Sequence, residues 1–210
     1  MLFGGHDGEL EIRRAKDGPT RLRGRFPYGK KAVLSDGGRR GRPRKEIIAP
    51  RAFNFRINDQ SQDIHILVGH SYDRPLASRS AGTLDIKDSN EAVTFVATIA
   101  SALETASWVQ DALSALDAGL IGGISPGFRL PPERAVKKPE TIEEEPVDPE
   151  RGMHGAIIRT VNDALLYEMS LVTVPAYDDT EVEETRNWNA RACAEAPDTG
   201  LRRALERWRA

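Results

Sequence analysis

Three polar side chains that lie far apart in the 210-residue sequence could together make a hydroxyl nucleophilic, and His70 is the first of them. It follows a short apolar segment, residues 64–68, and a break at Gly69, so a rigid element would hold the imidazole beside a cleft. An imidazole takes up and releases protons near neutral pH, which suits a general base. His70 is therefore a candidate base, although a histidine at a strand end also fits a purely structural role.

Ser125 is the candidate nucleophile, and it lies in a segment rich in Gly and Pro, residues 122–128. Gly123 and Gly127 keep its hydroxyl uncrowded and allow a substrate to approach the backbone closely. The segment lacks the evident preceding strand and following helix of a nucleophile elbow. A plain turn is the alternative interpretation.

Glu168 is the third candidate because it interrupts an apolar stretch, residues 165–172. A carboxylate in such a strand is costly to bury unless it is paired or hydrogen-bonded. A protonated imidazole would be a suitable partner, and a carboxylate behind a base fixes the tautomer of that base and stabilises the imidazolium formed during attack. The alternative is a strand residue that faces solvent.

The elements predicted around these residues are mostly strands. The four-residue turn at 87–90 is too short for a crossover helix, so the strands on either side of it should pair antiparallel. One amphipathic helix is predicted between the capping-box pattern of Ser101 with Glu104 and a stop at Gly119. Strands are predicted at residues 20–26, 46–48, 64–68, 84–86, 92–99, 156–161 and 165–174.

The predicted fold class is α+β, a mostly antiparallel β domain with one central amphipathic helix. Residues 1–20 are predicted to be an N-terminal extension and residues 21–182 the main domain. Within that domain, residues 37–45 form a solvated basic loop and residues 131–151 an acidic, mobile insertion. Residues 183–210 form a charged tail that could contain a final helix.

Composition excludes several classes of function. The 30 basic and 32 acidic side chains nearly balance, so the chain as a whole is not a polycation built to hold nucleic acid. The single cysteine, Cys193, rules out an intrachain disulfide, and with four histidines it offers little material for a metal site. No metal or other cofactor is predicted. The longest uncharged apolar run falls well short of the roughly 20 residues that cross a bilayer, and no membrane association is expected.

Five groups of residues stand in an order that resembles the prohead protease family of tailed phages, the serine proteases of capsid maturation. The fold of that family is similar to herpesvirus assemblin, so the resemblance implies that the β domain is barrel-like and has flanking helices. The resemblance covers roughly residues 21–182, which would then be the protease domain. The matching segments read PRAF at 50–53, ILVGH at 66–70 with RPLA at 74–77, GTL at 82–84, GGISPGF at 122–128 and EMSLVTVPA at 168–176.

The resemblance implies a role for each of the three candidates. His70 becomes the base, Ser125 the nucleophile, and Glu168, in the Glu-x-Ser-Leu-Val segment of the family, the acid that orients the base. Relatives of the assemblin type use a second histidine in the third role, so His65 and His154 remain alternatives. Glu168 is preferred, because a carboxylate supports a developing imidazolium more strongly than a neutral imidazole does.

The oxyanion of an acyl-transfer reaction needs hydrogen-bond donors, and the backbone N–H groups of Gly127, Phe128 and Arg129 are the candidates, together with the Arg129 side chain. One local departure from the family pattern concerns the base. The family commonly has Asp or Asn directly after the catalytic histidine, whereas here two other residues precede Asp73.

The resemblance also implies a biological setting. The protein would act in the host cytoplasm, inside the immature capsid or prohead. There it would cleave the scaffold protein, or the scaffolding segment of the major capsid protein, and then cleave itself. Activation through a homodimer is a further expectation, because relatives of the assemblin type are activated by dimerisation.

A rival interpretation comes from the basic segment. Arg40 and Arg42 lie in a short Arg-Gly-Arg-Pro sequence that resembles the core of a minor-groove DNA-binding hook. The alternative function is a non-catalytic capsid assembly factor with a DNA-binding loop at Arg39–Lys45. Basic loops are usually only solvated, so nucleic-acid binding is not favoured.

Overall fold

The structure is a computed structural model that describes residues 2–3, 9–13, 19–38, 41–148, 150, 153–174 and 182–184. Three helices occur in this part of the chain: α1 (Asn54–Asn58), α2 (Ser101–Glu104) and α3 (Ser107–Asp117). The strands are β1 (Leu2–Phe3), β2 (Glu9–Arg13), β3 (Arg21–Pro27), β4 (Lys31–Ser35), β5 (Arg44–Ile48), β6 (His65–Val68), β7 (Ser71–Ser78), β8 (Leu84–Asp88), β9 (Ala92–Thr98), β10 (Gly123–Arg129), β11 (Glu140–Glu144), β12 (Val147–Asp148), β13 (Met153–His154), β14 (Ile157–Val161), β15 (Leu165–Val172) and β16 (Val182–Glu184).

The strands form three larger sheets, and β12 and β13 pair by themselves. The strand orders of the larger sheets are β1-β10-β15-β6-β7, β16-β2-β3-β9-β8 and β11-β14-β5-β4. Most neighbours are antiparallel, while β15 with β6, β14 with β5 and β16 with β2 are parallel. The α+β class is therefore confirmed. None of the sheets closes into a barrel among the described strands, so the barrel-like detail of the prediction is not found.

One apolar core joins the three larger sheets to α3. Phe26 of β3, Phe53 just before α1 and Phe128 of β10 are all fully buried in it. The ring centroids of Phe26 and Phe53 lie 6.2 Å apart, and those of Phe53 and Phe128 lie 5.7 Å apart. Burial of one such side chain stabilises a fold by roughly 1.5–3 kcal/mol. The core therefore anchors β10, the strand that carries Ser125, to the neighbouring sheets.

The predicted pairing of the strands around residues 87–90 is confirmed, since β8 and β9 are antiparallel neighbours. The predicted amphipathic helix is α3, and Gly119, with a φ of 69°, follows its end. The predicted capping box of Ser101 and Glu104 is wrong. Ala100 occupies the N-cap of α2 without a side-chain hydrogen bond, and the carboxylate of Glu104 instead accepts the backbone N–H of Thr20 at 2.6 Å.

The segment at 131–151 is not the mobile loop that its composition predicts. It contains β11, which pairs antiparallel with β14, and it also contains β12. The side chain of Glu145, directly after β11, is 5% exposed and accepts two hydrogen bonds from Lys45 Nζ, at 2.7 and 2.8 Å. A run of charges predicts a solvated loop only when no opposite charge lies near it in the fold.

The basic loop is likewise shorter than predicted. Within the segment 37–45, Arg44 and Lys45 already belong to β5, and Lys45 is the partner of Glu145. Arg42 donates from Nε to the carbonyl of Gly155 at 2.8 Å. The basic and acidic segments compensate each other, and that is why both are partly built into a sheet.

Part of the predicted N-terminal extension forms a strand, because β2 pairs with β3 on one side and with β16 on the other. The predicted limits of the main domain, residues 21 and 182, stay a prediction. The final helix expected within residues 183–210 lies outside the described residues.

Candidate active site

Strand order brings the three candidate residues to one region of the first sheet. Ser125 of β10 lies directly opposite Ser170 of β15, and Gly127 lies opposite Glu168. On its other side β15 pairs with β6, which leads through Gly69 to His70. The central strand β15 therefore stands between the strand of the hydroxyl and the strand that leads to the imidazole.

Alternation along the strands puts the polar side chains on one face. Ile124 and Phe128 of β10 belong to the apolar core, as do Met169 and Leu171 of β15. Because successive side chains of a strand point to opposite faces, Ser125 must lie on the face away from that core. Directly opposed residues share a face, so Ser125 and Ser170 point the same way.

Glu168 is hydrogen-bonded to His70. The distance between His70 Nδ1 and Glu168 Oε1 is 2.7 Å, and the side chains are 18% and 1% exposed. Such a short distance is typical of a charge-assisted hydrogen bond. A carboxylate can only accept, so Nδ1 carries the proton, and Nε2 is left as the nitrogen that can take a proton from a substrate or a nucleophile.

Ser170 is a residue that sequence reasoning did not single out. Its side chain is fully buried, and its hydroxyl donates to Glu168 Oε2 at 2.6 Å. Ser170 Oγ also accepts the backbone N–H of His70 at 2.9 Å. The only local signal is the Glu-x-Ser spacing, which puts two polar side chains on one face of a strand.

Gly127 has a steric reason to be glycine. A Cβ at this position would lie 1.9 Å from Glu168 Oε1 and 2.6 Å from its carboxyl carbon. The carboxylate of Glu168 therefore occupies the space above Gly127 that a side chain would otherwise fill. Gly127 thus makes room for the carboxylate of Glu168, and its predicted role in keeping a substrate path open stays a prediction.

The backbone at the imidazole is left-handed. Gly69 and His70 both have a φ of 60°. For a residue other than glycine this conformation costs roughly 1–2 kcal/mol. Two hydrogen bonds donated by the backbone oppose that cost. Gly69 N–H donates to the carbonyl of Leu171, and His70 N–H donates to the side-chain oxygen of Ser170.

Sequence comparison places the chain in a family. A sequence model described as caudovirus prohead serine protease matches residues 35–193, which is more than half of the chain and includes all three candidate residues. The chain belongs to the caudovirus prohead serine protease family. Membership implies serine peptidase chemistry in the maturation of a phage capsid. No curated protein and no solved structure matches the chain, so the likeness to the assemblin fold stays a prediction.

The surroundings of the carboxylate in this prohead protease are partly apolar and partly charged. Burial raises the pKa of the Tyr72 hydroxyl, and the charge of Glu168 raises that pKa further, whereas Arg129 lowers it. The guanidinium of Arg129 lies over the ring of Tyr167, with its carbon 5.6 Å from the ring centroid. Tyr72 and Arg129 are thus within electrostatic reach of the candidate site.

The predicted oxyanion donors lie in a paired strand. Gly127, Phe128 and Arg129 pair with β15, with an irregularity between Gly127 and Phe128. Phe128 is buried in the core, whereas Arg129 is exposed. The roles of the three backbone N–H groups and of the Arg129 side chain stay predictions.

The two alternative histidines make other contacts. His65 Nε2 lies 3.7 Å from Asp63 Oδ2, and its ring stands edge-on to that of Tyr72. His154 is exposed on β13 and pairs with Val147 of β12. The side chain hydrogen-bonded to His70 Nδ1 is therefore that of Glu168 rather than a second imidazole.

The described residues also bear on metal, membrane and nucleic-acid sites. Within the described ranges, no group of three or more His, Cys, Asp or Glu side chains could hold a metal ion. Likewise, none of the described helices combines the length and the apolar character needed to span a bilayer. Of the two arginines in the hook-like sequence, Arg40 lies outside the described residues, and Arg42 Nη1 lies 3.0 Å from Glu144 Oε1. Arg42 is thus engaged within the protein.

Proposed function

We propose that this prohead protease is an endopeptidase in which Ser125 is the nucleophile, His70 the general base and Glu168 the acid that orients the base. The observation that carries the proposal is the 2.7 Å hydrogen bond between His70 Nδ1 and a carboxylate that is 1% exposed. This bond commits one imidazole nitrogen and leaves Nε2 for the hydroxyl proton. Membership of a serine protease family supports the same assignment.

The reaction is acyl transfer in two steps. His70 Nε2 takes the proton from Ser125 Oγ as that oxygen bonds to the carbonyl carbon of the scissile peptide. The carbonyl π electrons move to oxygen, and as the tetrahedral intermediate collapses, the C–N bond breaks and His70 returns its proton to the leaving amine. Water then attacks the acyl-enzyme with His70 again acting as base, which releases the acid and restores Ser125. The Glu168 carboxylate stabilises the imidazolium in both steps.

The proposed substrates are the scaffold protein or the scaffolding segment of the major capsid protein, with self-cleavage to follow. The family description supports a capsid substrate, because a prohead protease works on the shell that encloses it. The site of action is then the interior of the prohead in the host cell.

Co-expression with the cognate major capsid protein precursor and scaffold tests the proposal. We expect specific cleavage products with the natural chain, and a loss of at least about 10³-fold in the cleavage rate for Ser125→Ala and for His70→Ala. The matched control is His65→Ala, which removes an imidazole whose Nε2 is paired with Asp63 Oδ2 at 3.7 Å. Undiminished cleavage by Ser125→Ala would refute Ser125 as the nucleophile, whereas intact substrates with the natural chain would favour the non-catalytic assembly factor.

A further inference from the structure

Ser170 makes two hydrogen bonds that converge on the candidate base and its acid. Its hydroxyl hydrogen goes to Glu168 Oε2, and its oxygen accepts the N–H of His70. A serine hydroxyl has one donor and two acceptor sites, so both bonds can exist at once. The residue is fully buried, and water cannot easily replace either bond.

The two bonds fix different degrees of freedom. Glu168 has one oxygen on His70 Nδ1 and the other on Ser170, so its carboxylate cannot rotate without losing one partner. His70 sits in the left-handed region, and its backbone N–H is bonded there to the hydroxyl oxygen of Ser170. One hydroxyl therefore holds the plane of the acid and the backbone of the base at the same time.

We propose that Ser170 is the positioning residue of the His70–Glu168 pair, acting through both partners and not on the substrate. The inference rests on the proposed function of that pair, but its geometry is a property of the folded chain. A change at Ser170 should alter how the pair holds its proton, in addition to any effect on stability.

The direction of that change follows from electrostatics. The hydroxyl of Ser170 stabilises the negative charge of Glu168 most when the imidazole is neutral, because a protonated imidazole already compensates the charge. Removal of the hydroxyl therefore favours the protonated pair, and the pair should take up its proton at a higher pH. Full activity needs the unprotonated imidazole, so the acid limb of the pH profile moves upward.

Titratable and charged groups from β6, β7 and β10 lie near the pair. His65 lies opposite Glu168 on β6 and is paired with Asp63. Tyr72 comes from β7, with Arg129 of β10 close to it. The variants proposed here change none of these groups, so a shift in titration would report on Ser170.

The experiment compares Ser170→Ala with Ser170→Thr, which keeps the hydroxyl, in the full chain. The imidazole of His70 is titrated by NMR of ¹⁵N-labelled histidine, assigned through His70→Ala, and the rate of Ser125 labelling by a fluorophosphonate probe is measured across pH. For Ser170→Ala we expect the titration midpoint to rise by about half a unit or more and the labelling rate at neutral pH to fall about tenfold or more. Ser170→Thr should restore the midpoint.

The matched control is Ser80→Ala, which removes a hydroxyl that donates to the carboxylate of Asp63, the partner of His65. It should leave both the midpoint and the labelling rate unchanged. Should Ser170→Ala not fold, Ser170→Cys makes the same comparison, because a thiol is a weak donor of similar volume.

The outcomes separate the two proposals. A folded Ser170→Ala variant with an unchanged midpoint overturns the positioning role, whatever the activity of the natural chain. A raised midpoint in a chain that neither labels nor cleaves supports the positioning role and refutes the protease assignment of Ser125. A midpoint that rises equally in Ser170→Ala and Ser80→Ala also overturns the inference, because the effect would then not be specific to the pair.

Discussion

His70 combines a catalytic assignment with a backbone conformation that side chains other than glycine rarely adopt. Its φ is 60°, in the left-handed region, and this costs roughly 1–2 kcal/mol for any residue with a Cβ. The strain at this residue is tolerated because the surrounding hydrogen bonds hold the chain in place. Stability and function should therefore oppose each other at this position.

A pair of substitutions measures that opposition. His70→Ala and His70→Gly both remove the imidazole, but only the glycine variant relieves the strain. We expect His70→Gly to be more stable than His70→Ala by about 1 kcal/mol in denaturant unfolding, with both inactive. Equal stability of the two variants would mean that position 70 is not held in the left-handed region.

Gly127 supplies a second test at this scale. In Gly127→Ala the new Cβ meets the carboxylate of Glu168, which must move away from His70. A displacement of about 1 Å in a catalytic constellation costs about 10²-fold in rate, so we expect a loss of that order in fluorophosphonate labelling of Ser125. Gly82→Ala is the control, because a Cβ at Gly82 meets nothing within 4 Å and the only cost there is that of its φ of 69°, which Gly127 does not share. Full labelling by Gly127→Ala would contradict the position of Glu168.

Some residues of the candidate site could be proposed from the sequence, and others could not, because their contacts depend on how distant strands pair. His70, Ser125 and Glu168 could be predicted from residue type, local context and resemblance to a family. The contribution of Ser170 and the steric role of Gly127 depend on the register of β10, β15 and β6. This register cannot be read from a single sequence, because residues that bond to each other, such as His70 and Ser170, are up to 100 residues apart.

Among the elements, the contact between the basic and acidic segments departs most from sequence-based expectation. Lys45 at the start of β5 is bound by Glu145 beyond β11, 100 residues later in the chain. Both side chains are largely buried, at 16% and 5% exposure. Considered alone, the basic segment and the acidic segment each have the composition of a solvated loop. The pairing of β5 with β14, and of β14 with β11, brings their opposite charges together.

The pH dependence of stability should show this contact. The hydrogen bond from Lys45 lowers the pKa of Glu145, so its contribution to stability is present above the unfolded pKa of a glutamate and is lost as the pH falls through the folded value. Lys45→Met should therefore lower the melting temperature at neutral pH, by a margin that shrinks in acid. Lys87→Met is the control, since its ion pair with Asp85 is exposed and worth little. A penalty independent of pH would show that the charge of Glu145 does not contribute.

For the whole molecule, the candidate site depends on non-local strand order. Most predicted strands exist within one or two residues of their expected limits, since alternation and apolar runs are local signals. The parallel pairing of β15 with β6 and the place of β10 beside β15 are not local, and they decide which polar side chains meet. The core that includes Phe26, Phe53 and Phe128 then holds these strands against the second sheet.

The predicted barrel shows the limit of reasoning by resemblance at this scale. A fold similar to assemblin led to the expectation of a barrel-like β structure, but the described strands form open sheets with edges at β1 and β7, at β16 and β8, and at β11 and β4. The arrangement of three candidate side chains requires only the middle of one sheet. It therefore does not depend on whether the strands close into a barrel.

The central claim is that the fold makes Ser125 a nucleophile through His70, and covalent labelling tests it most directly. The full chain is treated with a fluorophosphonate probe, digested and mapped by mass spectrometry, beside the His70→Ala variant and the His65→Ala control. The account predicts one adduct on Ser125, abolished by His70→Ala and unaffected by His65→Ala. An adduct on another residue, or equal labelling of Ser125 without the imidazole of His70, would contradict it.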